Sequence, residues 1–145
     1  MYLSKHFTLE ELTTSQIAAR NGFDNTPNEA VIENLKRLCD RILEPIRDIV
    51  HKPVHVTSGY RSLTVNGLVG SKSTSQHITG CAADIKVPGV SPDVLIKAII
   101  GAGLPYEQVI REFDSWVHVS VPNDPNGKPK RQALIIDNKG TRPYT

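Results

Sequence analysis

The stretch Ser75-Gln76-His77-Ile78-Thr79-Gly80-Cys81-Ala82-Ala83-Asp84 decides how this chain is read, together with Trp116-Val117-His118-Val119-Ser120 further on. Two histidines and one aspartate form a mixed nitrogen and oxygen donor set suited to zinc. A fourth position is left for water, as in catalytic rather than structural zinc sites. Strand periodicity groups the donors. In a strand after Gly80, Ala82, Asp84 and Lys86 share a face opposite Ala83, Ile85 and Val87. In a later strand Trp116, His118 and Ser120 oppose Val117, Val119 and Val121, so Asp84 and His118 both stand on the more polar face. The same residues also fit a plainer reading, in which each histidine is a satisfied structural residue and Asp84 an exposed carboxylate. Spacing alone leaves both open.

Upstream, Thr8 stands three residues before Glu11 with Phe7 and Leu12 placed as a staple, which predicts a helix from there to about Arg20, ended by Asn21-Gly22. Thr26-Pro27-Asn28-Glu29 repeats that logic with Thr26 as cap. It opens the longest helix, whose Val31, Leu35, Leu38, Ile42, Ile46 and Ile49 form one stripe. Pro45 is expected to kink or divide it. After Pro53 the period changes to two, with Val54 and Val56 opposite His55 and Thr57, as in a half-buried strand. Residues 62–76 lack periodicity and read as a long loop. Downstream come a strand over 82–87, a helix capped by Ser91-Pro92-Asp93 running to about Ala102, and strands at 107–112, 116–121 and 132–136. The turn-rich segment 122–129 is expected to join the last two as a long hairpin. Helices first and strands later define an α+β class with a small, mainly antiparallel sheet flanked by helices.

With 145 residues the chain has the size of one domain, 1–145, and can fold without disulfides or a structural metal. Cys39 and Cys81 are too few and too far apart for a disulfide framework and read as free thiols. The apolar runs Val94-Leu95-Ile96 and Ala98-Ile99-Ile100 fall far short of the ~20 residues of a membrane span, so no membrane insertion is expected. Net charge is only +2, although residues 115–145 carry five basic groups against two acidic ones. That mild balance predicts no nucleic-acid partner, and the basic tail reads as a solvated loop. A monomer is expected. The start, Met1-Tyr2-Leu3-Ser4-Lys5-His6, lacks the basic-then-apolar order of a signal peptide, so the expectation is a chain made in the cytoplasm.

The string Ser-x-His-x-x-Gly-x-Ala-x-Asp followed by Trp-x-His resembles the zinc DD-peptidases of the M15 family, which share a fold with the hedgehog signalling domain. Phe7-Thr8-Leu9-Glu10-Glu11-Leu12, Asp24-Asn25-Thr26-Pro27, Thr57-Ser58-Gly59-Tyr60-Arg61-Ser62 and Glu112-Phe113 before Trp116 extend the resemblance over about residues 5–136, toward the small phage and prophage branch. It implies one zinc ion per chain held by His77, Asp84 and His118, with Arg61 near the substrate and Ser75 orienting substrate or the ligand loop. Many relatives carry an acid three residues before the last histidine, and here that position is Ser115. Two carboxylates stand nearby. If the chain turns at 113–115, Glu112 lies diagonal to His118 at roughly 7 Å and is the base. If the strand runs unbroken, Asp114 shares the face of His118; the first arrangement is preferred.

The expected function is hydrolysis of an amide bond in peptidoglycan stem peptides, of D-Ala-D-Ala carboxypeptidase or L-Ala-D-Glu endopeptidase type. The enzyme would reach the wall after release from the cell or aboard a virion. The rival is a non-catalytic zinc-containing module that binds cell wall or protein, an idea kept alive by Ser115.

Overall fold

The apolar stripe from Val31 to Ile46 builds the spine of the molecule, which is described here over all 145 residues by a computed structural model. The rod comprises α3 (Glu29–Leu38), a π-helical turn (Cys39–Leu43) and α4 (Glu44–Val50), preceded by α1 (Leu9–Thr13) and α2 (Gln16–Asn21). Leu35, Leu38, Ile42 and Ile46 are buried, while Ile49 lies near the surface. The π turn is what Pro45 does to the rod. Proline offers no N–H to the carbonyl four residues back and its ring crowds that carbonyl, so the preceding turn widens. The cap of α3 is Asn28, whose Oδ1 accepts the N–H of Val31 at 2.9 Å, and not Thr26, whose N–H and hydroxyl both turn to Asp24.

The first helix also differs from expectation. Thr8 and Glu11 form the capping box, yet α1 ends at Thr13 and a second helix begins with Ser15 as its cap. Three successive hydroxyl residues interrupt the ladder, and the Thr13 and Thr14 hydroxyls bond back to the carbonyls of Leu9 and Glu10. Residues 62–76, read as loop, contain the short helix α5 (Leu63–Leu68), with Ser62 as cap and Val65 and Asn66 buried. Six residues span less than two turns, too few for a periodic signal.

Six strands, β1 (His55–Ser58), β2 (Ala82–Lys86), β3 (Gln108–Glu112), β4 (Trp116–Ser120), β5 (Gln132–Asp137) and β6 (Gly140–Pro143), form one sheet in the order β1-β2-β4-β3-β5-β6. The helix α6 (Pro92–Gly101) precedes β3. All neighbours are antiparallel except β3 and β5. The expected hairpin between β4 and β5 does not form, because β2 and β3 already occupy both edges of β4, and β5 crosses to the free edge of β3. Arg37 and Arg41 hold the crossover by donating to the carbonyls of Pro122, Asn123 and Pro125. The strand β6 is exposed throughout, so it carries no alternation that a sequence reading could use. Ala83, Ile85, Val109, Val117 and Val119 enter the core with α3, α4 and α6, as do the free cysteines Cys39 and Cys81. The opposite face is the polar one. The class is α+β with a mostly antiparallel sheet, as the order of elements implies.

Candidate metal centre

Asp84 and His118 are direct partners across β2 and β4, so the sheet register alone puts two donors side by side. His77 arrives from the loop before β2. Its N–H is received by the Ser75 hydroxyl at 3.2 Å, and Gly80 lets the loop drop onto α3. Gly80 has φ +79°, and a Cβ there would stand 2.8 Å from a Val31 methyl, so both backbone and space demand glycine. The Asn123 side-chain carbonyl accepts from Gln76 and Thr79, bracketing His77 from the β4–β5 crossover.

The imidazole of His77 is buried and its Nδ1 lies 2.7 Å from the carbonyl of Gly59. A carbonyl only accepts, so Nδ1 carries the proton and Nε2 presents a lone pair. That Nε2 is buried with no hydrogen-bond partner and lies 3.4 Å from Asp84 Oδ1. His118 Nδ1 lies 3.0 Å from the same oxygen. Burial lowers the His77 pKa and keeps the ring neutral. Burial works to raise the Asp84 carboxyl, but His118 and His77 outweigh it and hold Asp84 well below the usual carboxylate range.

These donors fit a metal ion. One atom from each of His77, Asp84 and His118 lies within 4.8 Å of the others. Two ligands at ~2.0–2.1 Å from a tetrahedral zinc ion stand ~3.3–3.4 Å apart, which the 3.4 Å between His77 Nε2 and Asp84 Oδ1 matches, while His118 Nδ1 stands slightly closer to that oxygen at 3.0 Å. The unpartnered Nε2 supplies the second reason, since a buried nitrogen without a partner is costly unless something binds it. The Gly59 carbonyl is then the outer-shell group that fixes ring and tautomer.

Glu112 pairs with Trp116, and Ile110 with His118, so Glu112 stands diagonal to His118 on the same face. The Trp116 indole N–H donates to Glu112 Oε2. Burial first, and the Asp84 charge second, push the Glu112 carboxyl above its ordinary range. Asp114 sits elsewhere. The chain turns at Phe113 and Asp114, with φ of 53° and 49°, and Ser115 N–H closes the turn on the Glu112 carbonyl. Asp114 is exposed at the tip and lines a shallow recess with Arg111 and Asp137. The Arg61 guanidinium is half-buried and feels the charges of Asp84 and Glu112, and its Nε has no partner in the protein. Ser75 serves the ligand loop through the His77 N–H. Cys81 is buried beside Arg37, outside the donor set.

Gly59 and Asn25 belong to the site although sequence reasoning assigned them no part in it, and Trp116, which from sequence could equally wall a cleft or pack in the core, joins it as the donor to Glu112. Gly59 has no room for a side chain, since a Cβ there would lie 2.3 Å from the Leu12 carbonyl oxygen, a close approach that no local sequence pattern records. Asn25 braces the backbone of Arg61, accepting from Ser62 N–H at 2.8 Å and donating to the carbonyls of Tyr60 and Thr13. Arg61 N–H in turn donates to the His77 carbonyl. Asn25→Ala leaves those groups without partners, an expected cost of about 1–3 kcal/mol. At about 2–4 °C per kcal/mol for a chain of this size, thermal unfolding should fall by several degrees. Asn25→Asp, which keeps the acceptor, should fall less; equal losses would remove the acceptor bond from this account.

A two-histidine, one-carboxylate donor group beside a half-buried carboxylate, on the polar face of such a sheet, is the arrangement a metal-dependent hydrolase would need. The Peptidase M15 family model matches residues 5–120, and the chain belongs to that family. It is a peptidase, and its substrate is a peptide. No curated protein matches it.

Proposed function

We propose that the chain is a zinc-dependent peptidase that hydrolyses an amide bond in the stem peptides of bacterial peptidoglycan. The observation that carries this reading is the unpartnered, pre-oriented Nε2 of His77 grouped with Asp84 and His118, one rung from the Glu112 carboxylate. His77 Nε2, an Asp84 oxygen and His118 Nδ1 would hold the ion. When bound, zinc supplies a Lewis acid for the scissile carbonyl and acidifies water. Glu112 takes the proton from the attacking water and returns it to the leaving amine, its raised affinity for protons suiting both tasks. Trp116 keeps the carboxylate oriented by its indole N–H. Arg61, whose guanidinium lies within reach of the Asp84 and Glu112 charges, holds a substrate carboxylate or the oxygen on which charge develops. D-amino-acid peptides with free carboxylates suit that cation. The same reading carries a phage- or prophage-encoded enzyme that meets the wall after release or aboard a virion.

Mass spectrometry of purified peptidoglycan fragments tests the proposal, with zinc-loaded protein run beside an EDTA-treated sample. New fragments confined to the zinc-loaded sample are expected. Zinc bound at one per chain without any new fragment would point to the non-catalytic wall-binding module.

A further inference from the structure

We infer that Phe113 is a positioning residue for the reaction, its ring bracing the Trp116 indole so that the indole N–H stays on the Glu112 carboxylate; this rests on the peptidase reading above. Phe113 is out of place by two local criteria. It has φ +53° and is followed by Asp114 at φ +49°, so the β3–β4 turn carries two left-handed residues in succession. Glycine, asparagine and aspartate take such positions at little cost, whereas a bulky side chain there is strained. Burial does not offset the strain, because Phe113 is 55% exposed. The backbone is pinned in this shape from both sides. Phe113 N–H donates to the Ile136 carbonyl on β5 at 2.7 Å, and Ser115 N–H closes on the Glu112 carbonyl at 2.9 Å.

The aromatic partner of the exposed ring is Trp116, with centroids 5.8 Å apart and planes tilted by 39°. That separation lies within the range of favourable aromatic pairs. Trp116 also lines an open recess of about 370 Å³ with Thr57, Lys86, Pro88 and Leu95, so an unbraced indole has space to swing into. The consequence falls on Glu112. Its carboxylate accepts from the Trp116 N–H, and no other protein group donates to that side chain. An indole that swings away therefore releases the carboxylate, and a misplacement of about 1 Å at a reacting group can cost about a hundredfold in rate. Strained backbone of this kind gathers where geometry at a site is worth more than local stability.

Trp116 is the only tryptophan in the chain, so its emission reports the contact directly, with or without metal and substrate. Phe113→Asn removes the ring and suits the left-handed backbone. Its thermal midpoint should equal or exceed that of the parent, while selectively excited tryptophan emission moves to the red and acrylamide quenches it more easily. With zinc-loaded protein and stem-peptide fragments, kcat should fall roughly ten- to a hundredfold and KM change less than about twofold. Phe113→Tyr, which keeps the flat ring, should restore emission and kcat together. Phe113→Gly should repeat the Asn result, and replaces it if Asn disturbs the hairpin. Unshifted emission, undiminished kcat, or a loss confined to KM, which would make Phe113 a substrate contact, would each overturn the inference and leave the peptidase reading standing. A parent protein that cuts no fragment would remove that reading, and the purpose of the brace with it, whatever the emission shows.

Discussion

Replacing Glu112 by Gln should lower kcat by roughly 10²- to 10⁴-fold, the range supplied by a positioned general base, with KM, metal content and thermal stability close to those of the parent. Gln is chosen because its side-chain carbonyl still accepts the Trp116 indole N–H, so the local packing of the β3–β4 hairpin is kept and only proton affinity is lost. The half-buried position strengthens the case. Glu112 sits on the site face near Asp84 and His118, and burial with the Asp84 charge raises its hold on a proton. Asp114→Asn is the matched control, since Asp114 is exposed at the tip of the turn and should change turnover little. Stopped-flow or single-turnover assays decide the matter: a Glu112→Gln enzyme with undiminished kcat, or an Asp114→Asn enzyme without activity, would reverse the assignment of the base.

The second large effect is on metal-linked stability. With free zinc at a thousand times its Kd, binding to the folded state alone stabilises by about 4 kcal/mol, a rise of roughly 8–16 °C in thermal midpoint for a chain of this size. His77→Ala removes the one donor that is both buried and without a protein partner, so the zinc-induced rise should vanish and peptidase activity with it. Comparing each protein with and without EDTA separates this from ordinary destabilisation, because the stranded Gly59 carbonyl lowers both midpoints of the variant equally. A variant that still gains most of the rise would show that His77 is not a ligand.

These tests target residues of different legibility. Asp84 and His118 could be placed on one face from a period of two, and the backbone pairing makes them direct partners. Glu112 and Asp114 could not be separated by pattern, because the choice depended on whether the chain turns between them. Two consecutive left-handed residues, Phe113 and Asp114, make that turn, and neither is the glycine or asparagine that would have announced it. The orientation of His77 was further out of reach. It rests on a carbonyl 18 residues away, Gly59, held against α1 by the Tyr60 N–H to Leu12 bond.

The sequence by itself determined the local order: the capping box at Thr8, the stripe from Val31 to Ile46, the α+β class, and the polar strand face carrying two of the three donors. Those features follow from interactions within a few residues, which a linear pattern records. Tertiary structure alone decided that β5 runs parallel to β3, that Asn25 and Gly59 stand behind Arg61 and His77, and that His77 comes down beside the Asp84–His118 pair. Each depends on which backbone groups remain unpaired after other strands and helices have claimed theirs, and that competition is settled only when the whole chain is in place.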